Sequence, residues 1–361
     1  MNAQVRVTDA LEWLGDLDQP LIISGPCSAE SEEQVLTTAQ KLKDSGKVHA
    51  YRAGVWKPRT RPNSFEGIGE KAFPWLKRVK QEVGLPVTIE VANAKHVELA
   101  LENDIDILWI GARTTVNPFS VQEIADALKG VDVPVMIKNP INPDLALWIG
   151  AFERLNQAGI EKLVAIHRGF SSVNKEFRNA PNWEIPIELK TELPNVPLIC
   201  DPSHIAGIRN KVALIAQKSM DLNFDGLMIE SHINPDVALS DSQQQLSPDV
   251  LVELLNELKV RNQTSSCSEF QLNLEKLRSE IDVLDSEMIK ILAHRFQLSE
   301  KIGDFKKDNN VSIFQLERWK QILQSRVDQA TKQDISPAFV ESMIKLIHDE
   351  SIKIQTQIFQ K

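Results

Sequence analysis

Leu21-Ile22-Ile23-Ser24-Gly25-Pro26-Cys27-Ser28 and Gly226-Leu227-Met228-Ile229-Glu230-Ser231-His232 share one pattern. Each is a short run, apolar at consecutive rather than alternate positions, that stops abruptly in small and polar residues. A strand apolar on both sides is buried on both sides, as parallel strands covered by helices are. Similar runs begin near Val48, Pro86, Ile107, Pro134, Leu163 and Pro197, at intervals of 21 to 38 residues. That interval is the length of one βα unit. Stretches with helical spacing lie between them, among them 31–45, 93–103, 121–129, 145–157 and 210–219. Eight such units predict an α/β chain folded as a (β/α)8 barrel. An open doubly wound sheet is the weaker alternative, because no GxGxxG turn follows the first run.

Beyond Leu258 the pattern changes. Residues 261–269 are short, polar and aperiodic, which is linker chemistry. Leu274, Leu277, Ile281, Leu284, Met288, Ile291, Leu298, Ile302 and Phe305 then recur mostly at three- and four-residue steps, the stripe of one long amphipathic helix. Asp308-Asn309-Asn310 interrupts it, a second helix is expected over about 314–330, and Ser336-Pro337 opens a third running to about Phe359. The domains read as 1–260 and 270–361, a barrel followed by a small all-α three-helix unit. The long helix cannot bury its stripe against two shorter helices of its own chain, so this unit is expected to pair with a second copy.

Composition narrows the functional classes. The chain has 361 residues, 42% hydrophobic and 25% charged, with a net charge of −9. Residues 270–361 hold 14 basic and 14 acidic residues, so the acidic excess lies in 1–269, with 27 against 36. Neither part has the basic balance of a nucleic-acid binder. No run approaches the ~18 apolar residues of a membrane span. Residues 1–18 lack a basic-then-apolar secretory signal, and the three cysteines form no CxxC pair, so the cytoplasm is the expected location.

The strand ends of a barrel carry its chemistry. Lys57, Arg59, Arg113, Lys138 and Arg168 all follow apolar runs and would face one mouth. Cations gathered against an acidic background call for anionic ligands, and Arg forks fit phosphates and carboxylates. The same mouth would receive Cys27, His204, Glu230 and nearby Asp241. A thiolate, an imidazole and two carboxylates suit one divalent ion of the Mn, Co, Fe or Zn type, which could polarise a carbonyl. Cys200 and Cys267 read as core and linker thiols, and His167, beside Arg168, could either line the pocket or belong to the core.

These strings, with Lys57-Pro58-Arg59-Thr60 and Ala238-Leu239-Ser240-Asp241-Ser242-Gln243-Gln244-Gln245-Leu246, resemble the 3-deoxy-D-arabino-heptulosonate 7-phosphate (DAHP) synthases over about residues 20–258, in their shorter microbial branch. The resemblance implies condensation of phosphoenolpyruvate with erythrose 4-phosphate, with C3 of the enolpyruvate attacking the aldehyde, water adding at C2 and phosphate leaving. It implies Cys27, His204, Glu230 and Asp241 as metal ligands and Arg113, Lys138 and Arg168 on phosphoenolpyruvate. Lys57, Arg59 and Thr60 would reach chiefly erythrose 4-phosphate, and Lys138 is the leading candidate proton donor. No organic cofactor is implied. The related 3-deoxy-D-manno-octulosonate 8-phosphate (KDO8P) synthases share the barrel but typically carry Lys-Ala-Asn-Arg after the second strand, which favours the four-carbon sugar here.

On the long helix, Arg295 and Lys306 are eleven residues apart and share a face. Arg278 lies about 25 Å up the axis from Arg295, where it could serve a partner's pocket better than its own. Ser351 and Gln355 share a face of the third helix, and Arg318 sits on the second. This arrangement resembles the all-helical AroQ-type chorismate mutases over about residues 274–358. The resemblance implies an interlocked dimer that rearranges chorismate to prephenate. Arg278 would be borrowed from the other chain, and Arg295, Lys306, Arg318, Ser351 and Gln355 would lie in their own pocket, with Lys306 and Gln355 donating to the ether oxygen. Such a reaction needs clamped carboxylates and placed donors rather than acid, base or metal. Two positions depart from the family, which has acids where this chain has Gln315 and Trp319. The readings are a bifunctional enzyme, with prephenate feedback on the synthase, or a synthase carrying a catalytically silent helical sensor.

Overall fold

In the computed structural model, which describes residues 5–8, 20–57, 65–172, 176–262 and 264–360, every one of the eight apolar runs forms a strand. They are β1 (Leu21–Gly25), β2 (Ala50–Arg52), β3 (Val87–Val91), β4 (Ile107–Ile110), β5 (Val135–Lys138), β6 (Leu163–His167), β7 (Leu198–Cys200) and β8 (Gly226–Glu230). All neighbours pair in parallel, and β8 returns to β1 with Gly25 beside Glu230, closing the barrel. The sheet is therefore a TIM-type barrel with no exposed edge.

The helices that return the chain are α1 (Glu32–Asp44), α2 (Phe73–Arg78), α3 (Ala94–Glu102), α4 (Ala112–Thr115), α5 (Pro118–Ala127), α6 (Leu145–Gln157), α7 (Glu184–Glu192), α8 (Pro202–Ala206), α9 (Arg209–Asp221) and α10 (Pro248–Glu257). Their starts follow local chemistry. Ser31, Asn93, Asp144, Asp201 and Ser247 each accept a first-turn backbone N–H through the side chain, relieving one orphan donor.

Two buried layers result. Leu21, Ile23, Ala50, Ile107, Trp109, Met136, Val164, Ile166, Ile199 and Met228 fill the barrel interior. The alternate residues, among them Ile22, Tyr51, Leu108, Ile137, Ala165 and Leu198, join the shell between sheet and helices with Trp148 and Phe152. Successive strand residues face opposite sides. Two residues beyond the interior layer, the inward positions are therefore Gly25, Arg52, Gly111, Lys138, Arg168, Asp201 and Glu230. On β3, where Ile89 joins the outer shell, the alternation turns Glu90 inward. The polar rim is the barrel's own periodicity continued past its apolar floor.

The chain divides into two compact units, Met1–Gln263 and Thr264–Lys361. The second consists of α11 (Ser268–Asp308), α12 (Leu316–Thr331) and α13 (Pro337–Gln360). Helix α11 starts inside the stretch read as a linker, because the Gln271 N–H already bonds the Cys267 carbonyl at 3.0 Å. Gly303 lets α11 and α13 meet closely: a Cβ there would lie 2.8 Å from Ile358 Cδ1 and 3.2 Å from Gln355 Cγ. Among the described residues, no helix is long and apolar enough to cross a membrane.

Candidate active sites

Glu230 ends β8 fully buried, and its two oxygens have different surroundings. Oε2 accepts a hydrogen bond from Gln244 Nε2 at 2.7 Å. Oε1 has no hydrogen-bond partner among the described residues, although Arg52 Nη2 balances its charge from 3.2 Å. His204 is oriented by Asp201, whose Oδ1 accepts the His204 backbone N–H at 3.1 Å and whose Oδ2 lies 2.8 Å from Nδ1. The Nε2 of His204 is thereby turned to Glu230 Oε1, 3.7 Å away. Asp241 repeats the division: Oδ1 accepts from Arg178 at 3.0 Å, while Oδ2 faces Cys27 Sγ at 3.4 Å.

Ligand atoms of Cys27, Glu230 and Asp241 lie within 4.8 Å of one another. In Glu230 and Asp241 the outer oxygen is engaged and the inner one turns toward this group; His204 is not among these mutually close atoms, its Nε2 approaching Glu230 Oε1 to 3.7 Å. Orienting the outer atoms of ligands is how proteins prepare them for a cation. The residues present therefore fit a divalent ion. Burial, and next the Glu230 carboxylate, push the Cys27 thiol up to about 12. Lys57 Nζ donates to its sulfur at 3.1 Å, and the Cys27 N–H is held by Gln245 Oε1 at 2.9 Å.

A cavity of about 440 Å³ opens beside this group, lined by Lys57, Glu90, Arg113, Lys138, Arg168 and His204 among others. Lys138 is nearly buried and pairs with Asp201 Oδ2 at 2.8 Å. Arg168 donates to Asn179 Oδ1 at 2.7 Å, and its backbone N–H bonds Asn139 Oδ1 at 2.7 Å. Burial lowers the Arg168 guanidinium to about 10; Asp201 opposes this, while Arg178 and Arg113 add to it. Crowded guanidiniums that destabilise one another are what an anion would relieve. A cavity of about 700 Å³ adjoins, sharing Arg178 and Asp241. It is the larger, but Lys57, Arg113, Lys138 and Arg168 all lie in the smaller one. Arg59 and Thr60 fall outside the described residues.

His167 is a core residue: its ring is buried against Phe170, Trp183 and Phe224. Cys200 is buried and Cys267 exposed. Sequence reading missed Arg52, Glu90, Arg178, Asn179 and Gln244. A signal existed for the first two, as charges inside apolar strands that demand a partner.

In the helical unit, Arg295 Nη1 donates to Ser351 Oγ at 2.7 Å, linking α11 to α13. Gln355 is buried, and its Oε1 has no partner among the described residues. Lys306 donates to the Ile313 carbonyl. Arg318 is exposed, as is Arg278, whose nearest described acid is Glu275 Oε2 at 3.8 Å. Trp319 lies over His348, ring centres 4.0 Å apart, and Gln315 precedes the first turn of α12 without a side-chain hydrogen bond to it.

Such a rim, with cations around a cavity beside a thiol, an imidazole and carboxylates, defines a TIM-barrel enzyme for anionic substrates. The chain belongs to the DAHP synthetase I family, whose model matches residues 5–265. A chorismate mutase type II domain matches residues 277–356. The chain is 31% identical over 239 residues to the phospho-2-dehydro-3-deoxyheptonate aldolase of Thermotoga maritima, covering 66% of this chain and 68% of that one. A crystal structure of that Thermotoga aldolase, also called DAHP synthase, superposes with a TM-score of 0.60 at 30% identity, covering 66% of this chain and 67% of that one. A 2-dehydro-3-deoxyphosphooctonate aldolase of Legionella pneumophila is more distant, 27% identical over 267 residues, 68% of this chain and 93% of that one. The chain thus carries a DAHP synthase domain, a transferase, and a chorismate mutase domain, an isomerase, and is a bifunctional shikimate-pathway enzyme.

Proposed function

We propose that the barrel condenses phosphoenolpyruvate with erythrose 4-phosphate in a metal-dependent reaction, and that the helical unit converts chorismate to prephenate. The divided carboxylates of Glu230 and Asp241 beside the cationic cavity carry the first reading. Cys27, His204, Glu230 and Asp241 would hold one divalent ion, which supplies Lewis acidity toward the aldehyde carbonyl. Arg113, Lys138 and Arg168 bind the phosphate and carboxylate of the enolpyruvate, leaving C3 free to attack the aldehyde carbon. Lys57, Arg59 and Thr60 hold the four-carbon sugar phosphate. Lys138, its Nζ donating to Asp201 Oδ2 at 2.8 Å, is the candidate proton donor within the cavity where water adds at C2 and phosphate departs.

In the helical unit, Arg295, Lys306, Arg318, Ser351 and Gln355 clamp the two carboxylates and the ether oxygen, and Arg278 comes from a second copy. The pairing is supported by how little the unit buries alone. Among its described residues only Ser299, Gly303, Ala330, Val340, Ser351 and Gln355 are buried, while Leu277, Ile281, Leu284, Met288 and Ile291 stay more than half exposed. A unit without an apolar core gains stability by association. Prephenate, made on the same chain, would act back on the synthase, and the enzyme would work in the cytoplasm.

Both assays on one full-length sample, with and without a chelator, test this. The expected result is loss of the synthase and an unchanged mutase. A chelator-resistant synthase would overturn the metal, and chorismate consumed only at its spontaneous rate would make the helices a silent module. Faster phosphate release with arabinose 5-phosphate than with erythrose 4-phosphate would reject the four-carbon sugar, and synthase kinetics indifferent to saturating prephenate would reject the feedback.

A further inference from the structure

Arg178 belongs to none of the motifs above, yet it bonds Asp241 directly and reaches Glu230 through Gln244. Its stem lies across Gly207, the residue that closes α8, the helix bearing His204; a Cβ on Gly207 would come within 2.4 Å of Arg178 Cβ. From there Nη1 donates to Asp241 Oδ1 at 3.0 Å and to Gln244 Oε1 at 2.6 Å. Gln244 passes the restraint on, donating Nε2 to Glu230 Oε2 at 2.7 Å. One guanidinium therefore ties down the outer oxygen of one carboxylate directly and of the other through an amide.

We propose that Arg178, acting with Gln244, is the positioning residue that turns the inner oxygens of Asp241 and Glu230 toward Cys27 to receive the divalent ion. The inference rests on the metal reading above. The Arg178 side chain is 45% exposed, so its Coulomb attraction to Asp241 is largely screened. What it supplies is orientation. Second partners of this kind typically govern metal affinity by ten- to a hundredfold.

The test is a cobalt(II) titration of the metal-stripped full-length protein, read by the thiolate-to-cobalt charge-transfer band and the visible ligand-field bands, without substrate. Arg178→Met is expected to bind cobalt at least tenfold more weakly, with altered ligand-field bands and unchanged thermal unfolding of the metal-free protein. Arg178→Lys, which keeps a donor near Asp241, should recover part of the affinity, and Gln244→Met should weaken binding in the same direction. Equal affinity and identical spectra in Arg178→Met would overturn the positioning role while leaving the metal reading intact. A wild-type protein that takes up cobalt without a thiolate band would remove the metal reading and this inference with it.

Discussion

His167 shows how burial alone fixes a residue's chemistry. Enclosed by aromatic rings at the end of β6, its imidazole is lowered to about 3, first by burial and then by the Arg168 charge. An unfolded histidine titrates near 6.5. Below that pH the unfolded chain takes up a proton that the folded one refuses, so stability present at neutral pH is lost as pH falls from about 6.5 toward 3. Between pH 6 and 4.5 this single group should remove about 1–2 kcal/mol of barrel stability. Urea unfolding followed by tryptophan fluorescence at the two pH values measures it. His167→Asn should show a shallower decline, and parallel declines would mean that the imidazole is protonated inside the fold. The sequence left this residue ambiguous because its neighbour is a candidate ligand-binding arginine. Strand parity resolves it: Val164 and Ile166 face the barrel interior, which turns Arg168 inward and His167 into the outer shell.

At the scale of elements, the barrel strands and all three C-terminal helices were legible because their signals are local: apolar runs, capping residues, a stripe at helical spacing. What was not legible depends on contacts across the chain. Arg178 and Asp241 are 63 positions apart, and no local pattern announces that one will hold the other. Glu90 lies inside β3 rather than at its end, and Arg52 closes a strand of only three residues, so neither stands out as the polar stop of a long apolar run. Gly303 is a third case, an unremarked glycine in a long helix whose reason is the proximity of α13. Gly303→Val would press against Ile358 and Gln355, costing the helical unit about 1–3 kcal/mol and displacing the Gln355 amide. Mutase turnover should fall sharply with synthase turnover unchanged, both measured on the full chain. An unaffected mutase would mean that Gln355 is not placed by this contact.

At the scale of the whole molecule, the question is which pocket Arg278 serves. The lone chain leaves it exposed on a helix of 41 residues, with the apolar residues from Leu277 to Ile291 bare around it. A second copy laid on that stripe would cover the apolar surface and carry each Arg278 to its partner's pocket, an isologous exchange in which both chains give and receive. The two possibilities separate by mixing. Arg278→Ala and Arg295→Ala are each expected to abolish the mutase. If Arg278 crosses over, a mixed dimer has one pocket with both lesions and one with neither. Random exchange of equal amounts then restores about a quarter of wild-type activity, since half the dimers are mixed and each has one intact pocket. If Arg278 serves its own chain, every pocket in the mixture keeps one lesion and nothing returns. Unfolding the two variants together, refolding them and assaying chorismate consumption distinguishes the outcomes without a structure of the assembly. The synthase, assayed in the same tube, reports that the barrels have refolded.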